Sequence, residues 1–165
     1  MRSIASGARA KSRPKRRCRS NAHWRAVVWS GLIAGAAFLV LEMALVAMMG
    51  QSASGAPRMM GAILLGRDVL PPPATFDLGV LAAASAVHFP LSILYAVIFG
   101  LAAERLSLWP ALTVGAVFGL VLYAINFYGF TALFPWFEMA RGAASIVGHI
   151  FYGVVLAVAY KWLAR

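Results

Sequence analysis

Val87-His88-Phe89-Pro90-Leu91-Ser92-Ile93-Leu94-Tyr95-Ala96-Val97-Ile98-Phe99-Gly100 is apolar enough to lie in a bilayer, yet it carries a histidine and then small residues at every fourth place. On an α-helix His88, Ser92, Ala96 and Gly100 fall on one face. A shorter echo, His149, Gly153 and Ala157, stands near the C-terminus. A helix that is greasy all round but polar along one line points to a membrane span turned toward other spans. The rest of the chain agrees. Its 165 residues are 62% hydrophobic and 12% charged, with a mean hydropathy of +0.79. A soluble domain of this length could not hide that much apolar surface, so lipid must be the solvent for much of it.

Four apolar segments are long enough to cross: residues 27–49, 78–103, 109–132 and 143–163. The expected fold is therefore all-α, with four transmembrane helices in one domain, residues 27–165. The first segment is read as a retained helix, since a cleaved signal peptide would have a shorter apolar core. Residues 1–26 hold Arg2, Arg9, Lys11, Arg13, Lys15, Arg16, Arg17, Arg19 and Arg25 and few large aliphatics, which predicts a disordered basic tail. Lys and Arg beside a span hold it on the cytoplasmic side. Arg105, Lys161 and Arg165 would join the tail there, against Arg58, Arg67 and Arg141 outside, so both termini are expected in the cytoplasm. The tail also suits anionic lipid headgroups. No recognition motif or interleaved aromatics accompany its charge, so nucleic acid is not an expected partner. Cys18, the single cysteine, can form no internal disulfide and makes no metal pattern.

Residues 50–77 form the longest loop, broken by Gly50, Gly55, Pro57, Gly61, Gly66 and the run Pro71-Pro72-Pro73. Within it, Met59 to Leu65 is short and apolar, suiting an interfacial or re-entrant piece. Pro90 is expected to kink the second span. The aromatic loop Leu133 to Arg141 reads as interfacial, with Glu138 and Arg141 three apart and able to pair.

Gly31-x-x-x-Gly35 and Gly115-x-x-x-Gly119 mark helix faces that allow close approach, as do Ala96, Gly100 and Gly153. Trp29 stands before Gly35 as Trp109 stands before Gly115, and Gly-Ala-Ala-Phe at 35–38 matches Gly-Ala-Val-Phe at 115–118. His88 aligns with His149, Ser92 with Gly153 and Ala96 with Ala157. Either these are chance matches in an apolar composition, or the chain is two helical hairpins forming a parallel repeat.

Polar residues inside the spans carry the functional question. At about 1.5 Å per residue, Glu42 lies roughly 10 Å below the outer end of its span, His88 roughly 15 Å, and Asn126 and His149 roughly 9 Å. All four fall in the outer half of the bilayer, one per helix. Such groups are expensive in lipid, so they are expected to face the bundle interior, with Glu42 beside a histidine or Asn126. Ser92, Tyr123, Tyr152 and Ser145 could complete a hydrogen-bonded network.

Three readings fit this cluster. It is a structural knot fixing helix register, a path for protons or a small solute, or a bis-histidine site for a b-type haem between the second and fourth spans. A zinc site would need further ligands, and the spacing is not a metal signature. No nucleophile elbow, P-loop or paired catalytic carboxylates occur, so an enzyme is not expected, nor any cofactor. A rival class is a structural or partner-binding subunit docking through its Gly-x-x-x-Gly faces. A chain this small would also be expected to oligomerise to form a pathway.

His88-x-x-x-Ser92-Ile93, Glu104, Trp109, Gly115-Ala116, Pro135-Trp136-Phe137-Glu138 and Gly148-His149 together resemble the YagU-like inner-membrane proteins of bacteria, over about residues 79–163. The basic tail and the short first loop depart from that pattern. The resemblance implies a small multi-pass protein of the bacterial inner membrane and brings no mechanism with it.

Overall fold

The computed structural model describes residues 15–165, with side-chain surroundings from residue 23 onward. Over that range the protein is helical without strands. Four segments are long and apolar enough to cross a membrane: His23–Met48, Leu78–Ala103, Leu108–Ala132 and Ala143–Leu163. They match the predicted spans to within a few residues. We number the α-helices α1 (Lys15–Met48), α2 (Gly55–Leu65), α3 (Leu78–Ala103), α4 (Leu108–Ala124) and α5 (Ala143–Leu163).

Helix α1 starts inside the basic stretch expected to be disordered. Lys, Arg and Ala favour helix, and the apolar span downstream has already met the cost of nucleation, so the helix extends backward from it. Residues 1–14, and with them the rest of that expectation, lie outside the described residues.

Helix α2 forms in the first loop and packs along the outer part of α3, with Gly61 against Val80 and Ala84. Arg58 ties the loop together, donating to Val69 O at 2.7 Å and to Thr75 O at 2.8 Å. Asp77 then caps α3 by accepting from the Val80 amide at 2.9 Å. Helix α3 continues unbroken past Pro90.

The third span is not one continuous α-helix. Its α-helical part ends at Ala124, and a π turn (Ile125–Gly129) and a 3-10 turn (Phe130–Ala132) complete it. A π turn holds one more residue than the α-helix would, which rotates the side chains that follow it. Asn126 and Phe127 sit in this turn, and both reach the interior cavity described below. Arg141 stabilises the turn from outside, donating to Phe127 O at 2.7 Å and stacking over Tyr128 at 4.4 Å.

The spans pack in the order α3, α1, α5, α4, while α3 and α4 scarcely touch. Small residues set the close approaches. On the α1–α3 seam, a β-carbon on Gly35 would fall 2.8 Å from Ser92 Oγ. On the α4–α5 seam the backbones themselves meet, because a β-carbon on Gly153 would collide with Gly115 O, and one on Gly119 with His149 O. Gly35 thus sits on Ser92 as Gly115 sits on Gly153, the register that the proposed repeat aligns. The similarity stops at the hairpins. A two-fold relation would map the extensive α1–α5 contact onto α4–α3, which is nearly absent.

In the half of the bundle away from α2, Val27, Phe99, Ala103, Ala111, Leu156 and Tyr160 form a core. Phe118 lies 5.8 Å from the Phe99 ring and 6.5 Å from that of Tyr95, which seals α3 to α4 at that level. Large apolar side chains such as Val40, Leu94, Leu101, Val117 and Val158 point outward, as lipid requires. Trp24, Trp109 and Trp162 are exposed at the ends of their spans on one side, where indoles favour the membrane–water boundary.

Candidate functional site

The gap between α3 and α4 opens, in the half of the bundle nearest α2, into a cavity of about 280 Å3. Phe38, Leu39 and Glu42 of α1 form one wall and Val87, His88, Leu91 and Tyr95 of α3 another. Asn126 and Phe127 of the π turn and His149 and Tyr152 of α5 close the rest. Met59, Met60 and Ile63 of α2, with Phe134 and Phe137, make the roof. Trp136 pins that roof by donating its indole N–H to Met59 O at 2.9 Å.

The four intramembrane polar residues therefore come together at one cavity, one from each span. Two of them, Asn126 and His149, lie in one ordered row of hydrogen bonds. Tyr95 donates its hydroxyl to Asn126 Oδ1 at 2.9 Å. Asn126 Nδ2 donates to His149 Nε2 at 3.1 Å, and His149 Nδ1 donates to Ser145 O at 2.8 Å. A carbonyl can only accept, so Nδ1 carries the ring hydrogen and Nε2 must accept. That fixes the Asn126 amide with its nitrogen toward the imidazole. By the same logic His88, whose Nε2 lies 2.9 Å from Gly35 O, carries its hydrogen on Nε2.

Glu42 pairs with neither histidine nor Asn126, contrary to the sequence expectation. Its Oε1 accepts from Ser145 Oγ at 2.7 Å, and Oε2 has no hydrogen-bond partner among the described residues although it is buried. The reason is Phe38, one helical turn further in. Its ring stacks on His88 at 5.7 Å and meets His149 edge-on at 4.9 Å, so it fills the space between the imidazoles. The carboxyl is left to reach α5 above them, beside Gly148.

Ser92 and Tyr152 make a second knot below. Ser92 Oγ donates to Gly31 O at 2.7 Å, and Tyr152 donates to Ser92 O at 3.0 Å. Tyr123 stands apart. It meets His149 by its ring edge at 5.8 Å but forms no part of the cavity wall. Glu138 and Arg141 pair at 3.3 Å, as their spacing predicted. Gly31, Gly35, Ala96, Gly115, Gly119 and Gly153 are buried in the interhelical seams, and Gly100 packs beside Val27 and Tyr160. Both Gly-x-x-x-Gly faces are thus occupied within the chain.

Two participants escaped sequence reasoning. Tyr95, seven residues after His88 and thus two turns on along nearly the same face, could have been found by that spacing. Phe38 is an ordinary apolar residue in an apolar span and carries no readable signal. Arg141, read from the sequence as the partner of Glu138 or as a gate to the cluster, also holds the π turn.

The geometry does not fit a haem. Both Nε2 atoms that would bind iron are engaged, on Gly35 O and Asn126, and the Phe38 ring occupies the space between the imidazoles. Among the described residues no three His, Cys, Asp or Glu side chains gather as metal ligands would. Comparison of the chain with protein-family models, curated proteins and solved structures finds no match.

Proposed function

We propose that this chain is a non-enzymatic protein of the bacterial inner membrane, with both termini in the cytoplasm, that binds a small solute in its outer-half cavity. One observation carries the reading: Glu42, His88, Asn126 and His149, each from a different span, meet at the wall of a single cavity large enough for a small molecule. A cavity of about 150 Å3 lined by apolar side chains is known to take benzene, so this volume suits a one- or two-ring body. A purely structural knot would need no such space. The charge asymmetry supports the orientation, and the four long apolar segments support the membrane.

Photolabelling in proteoliposomes tests the reading. The probe is a phenethyl alcohol bearing a trifluoromethyl-diazirine. Adducts should concentrate on Met59, Met60, Ile63 and Leu91, and Leu91→Trp, which fills the cavity, should remove them. Adducts spread over lipid-facing residues such as Leu101 and Val117, and unchanged by Leu91→Trp, would refute it.

A second reading, carriage of a proton, is favoured by the ordered row from Tyr95 through Asn126 and His149 to Ser145 O. The Phe99–Phe118–Tyr160 layer would then have to part to complete a path.

A further inference from the structure

The cavity's hydrogen-bonding valences are lopsided. The hydroxyl hydrogens of Ser145, Tyr95, Ser92 and Tyr152 are all given to protein acceptors, and so are the ring hydrogens of both histidines. Asn126 keeps one spare amide hydrogen, since its other serves His149. What is left unmet is chiefly acceptor capacity. Glu42 Oε2 has no partner among the described residues, and neither does His88 Nδ1, the lone-pair nitrogen of its ring. A molecule completing this wall has to bring donors.

Charge narrows the choice. Among the described residues, Glu42 is the one acidic side chain on the wall, and neither Lys nor Arg lies there. A carboxylate held alone in a low-dielectric site is costly, whereas a carboxylate–ammonium pair is neutral overall and hydrogen-bonded. The remaining surface is apolar and aromatic, including Phe127, Phe130, Phe134 and Phe137, whose ring faces favour a nearby cation. An amphipathic amine also partitions into the leaflet, and the thin contact between α3 and α4 leaves it a lateral way in.

We infer that the cavity takes a small lipophilic amine in its protonated form, with Glu42 as counter-ion and the His88 imidazole as second acceptor, reached from the outer leaflet through the gap between α3 and α4. The inference rests on the solute-binding reading above and names the class of solute.

The test photolabels the full chain in proteoliposomes with two probes of one skeleton, a trifluoromethyl-diazirine phenethylamine and the corresponding phenethyl alcohol. The amine should label Met60 and Leu91 at a concentration about tenfold or more below the alcohol, the advantage expected of a charge-assisted hydrogen bond. Glu42→Gln, which keeps the shape and the Ser145 contact, should abolish that advantage while alcohol labelling persists and reports an intact cavity. Ser145→Ala frees the second carboxyl oxygen and should leave the amine advantage in place or enlarge it, giving a variant that does not depend on Glu42→Gln folding. Equal labelling by both probes in the native protein would overturn the amine proposal, as expected if water or an alkali ion completes Glu42, yet leave solute binding standing. So would an amine advantage that survives Glu42→Gln or is lost in Ser145→Ala. Failure of both probes to label the cavity would instead bring down the solute-binding reading on which the proposal rests.

Discussion

Replacing Glu42 by leucine should leave the protein as stable as before or make it more stable, by up to about 2 kcal/mol. The carboxyl makes one hydrogen bond, the 2.7 Å contact from Ser145. Interhelical bonds of this kind in membranes average about 0.6 kcal/mol and reach about 1.7 kcal/mol. Against that loss stands the buried oxygen with no partner, whose desolvation costs about 1–3 kcal/mol. A leucine, one atom shorter, removes both terms and can lie against Gly148, while the Ser145 hydroxyl can turn to a backbone carbonyl of its own helix. Ser145→Ala acts in the opposite direction. It strands the second carboxyl oxygen and should cost about 1–3 kcal/mol. In the double variant the alanine should cost almost nothing, so the coupling between the two sites is the bond itself. Equilibrium unfolding in mixed dodecylmaltoside–SDS micelles, followed by tryptophan fluorescence, measures all three. A carboxyl that costs stability is not there to hold the bundle together, which is the mark of a functional group. If Glu42→Leu instead destabilises by more than about 1 kcal/mol, the carboxyl serves the bundle, and the structural-knot reading displaces the functional one.

Two further outcomes follow from the same geometry. Gly153→Ala should force α4 and α5 apart, because the new methyl lands on the Gly115 carbonyl; overpacking of this kind costs about 1–3 kcal/mol, and an unchanged unfolding midpoint in the same micelle assay would contradict the seam. If the polar row carries protons, His149→Gln should abolish dissipation of an imposed pH gradient in dye-loaded proteoliposomes, whereas His88→Gln, outside the row, should leave it. Flux equal to that of the native chain in His149→Gln would exclude a proton path through that imidazole.

The spans, their number and the depth of the polar residues were legible because each depends on a run of residues along the chain. Burying Glu42 or His149 in the outer half is a property of one helix and the solvent around it. Where Glu42 goes is not. Its partner is 103 residues away, chosen because the Phe38 ring occupies the nearer route to the imidazoles. The π turn that brings Asn126 to the cavity was invisible for a similar reason. Local hydropathy is identical whether a span ends as α-helix or as π turn, and the contact that steadies it comes from Arg141, in a loop outside the span. That Gly35, Gly115 and Gly153 lie where helices approach closely could be read from small-residue spacing. The way the hairpins dock could not.

Composition alone thus dictated that the chain live in lipid as four helices, because each backbone in hydrocarbon must satisfy its own hydrogen bonds and every segment answers to that demand separately. Tertiary structure alone decided that α3 and α4 stand apart and leave a cavity with a half-paired carboxyl on its wall. Helices that are apolar on every side offer no stripe to dictate which neighbour they choose, so the choice falls to small residues, ring shapes and a few hydrogen bonds.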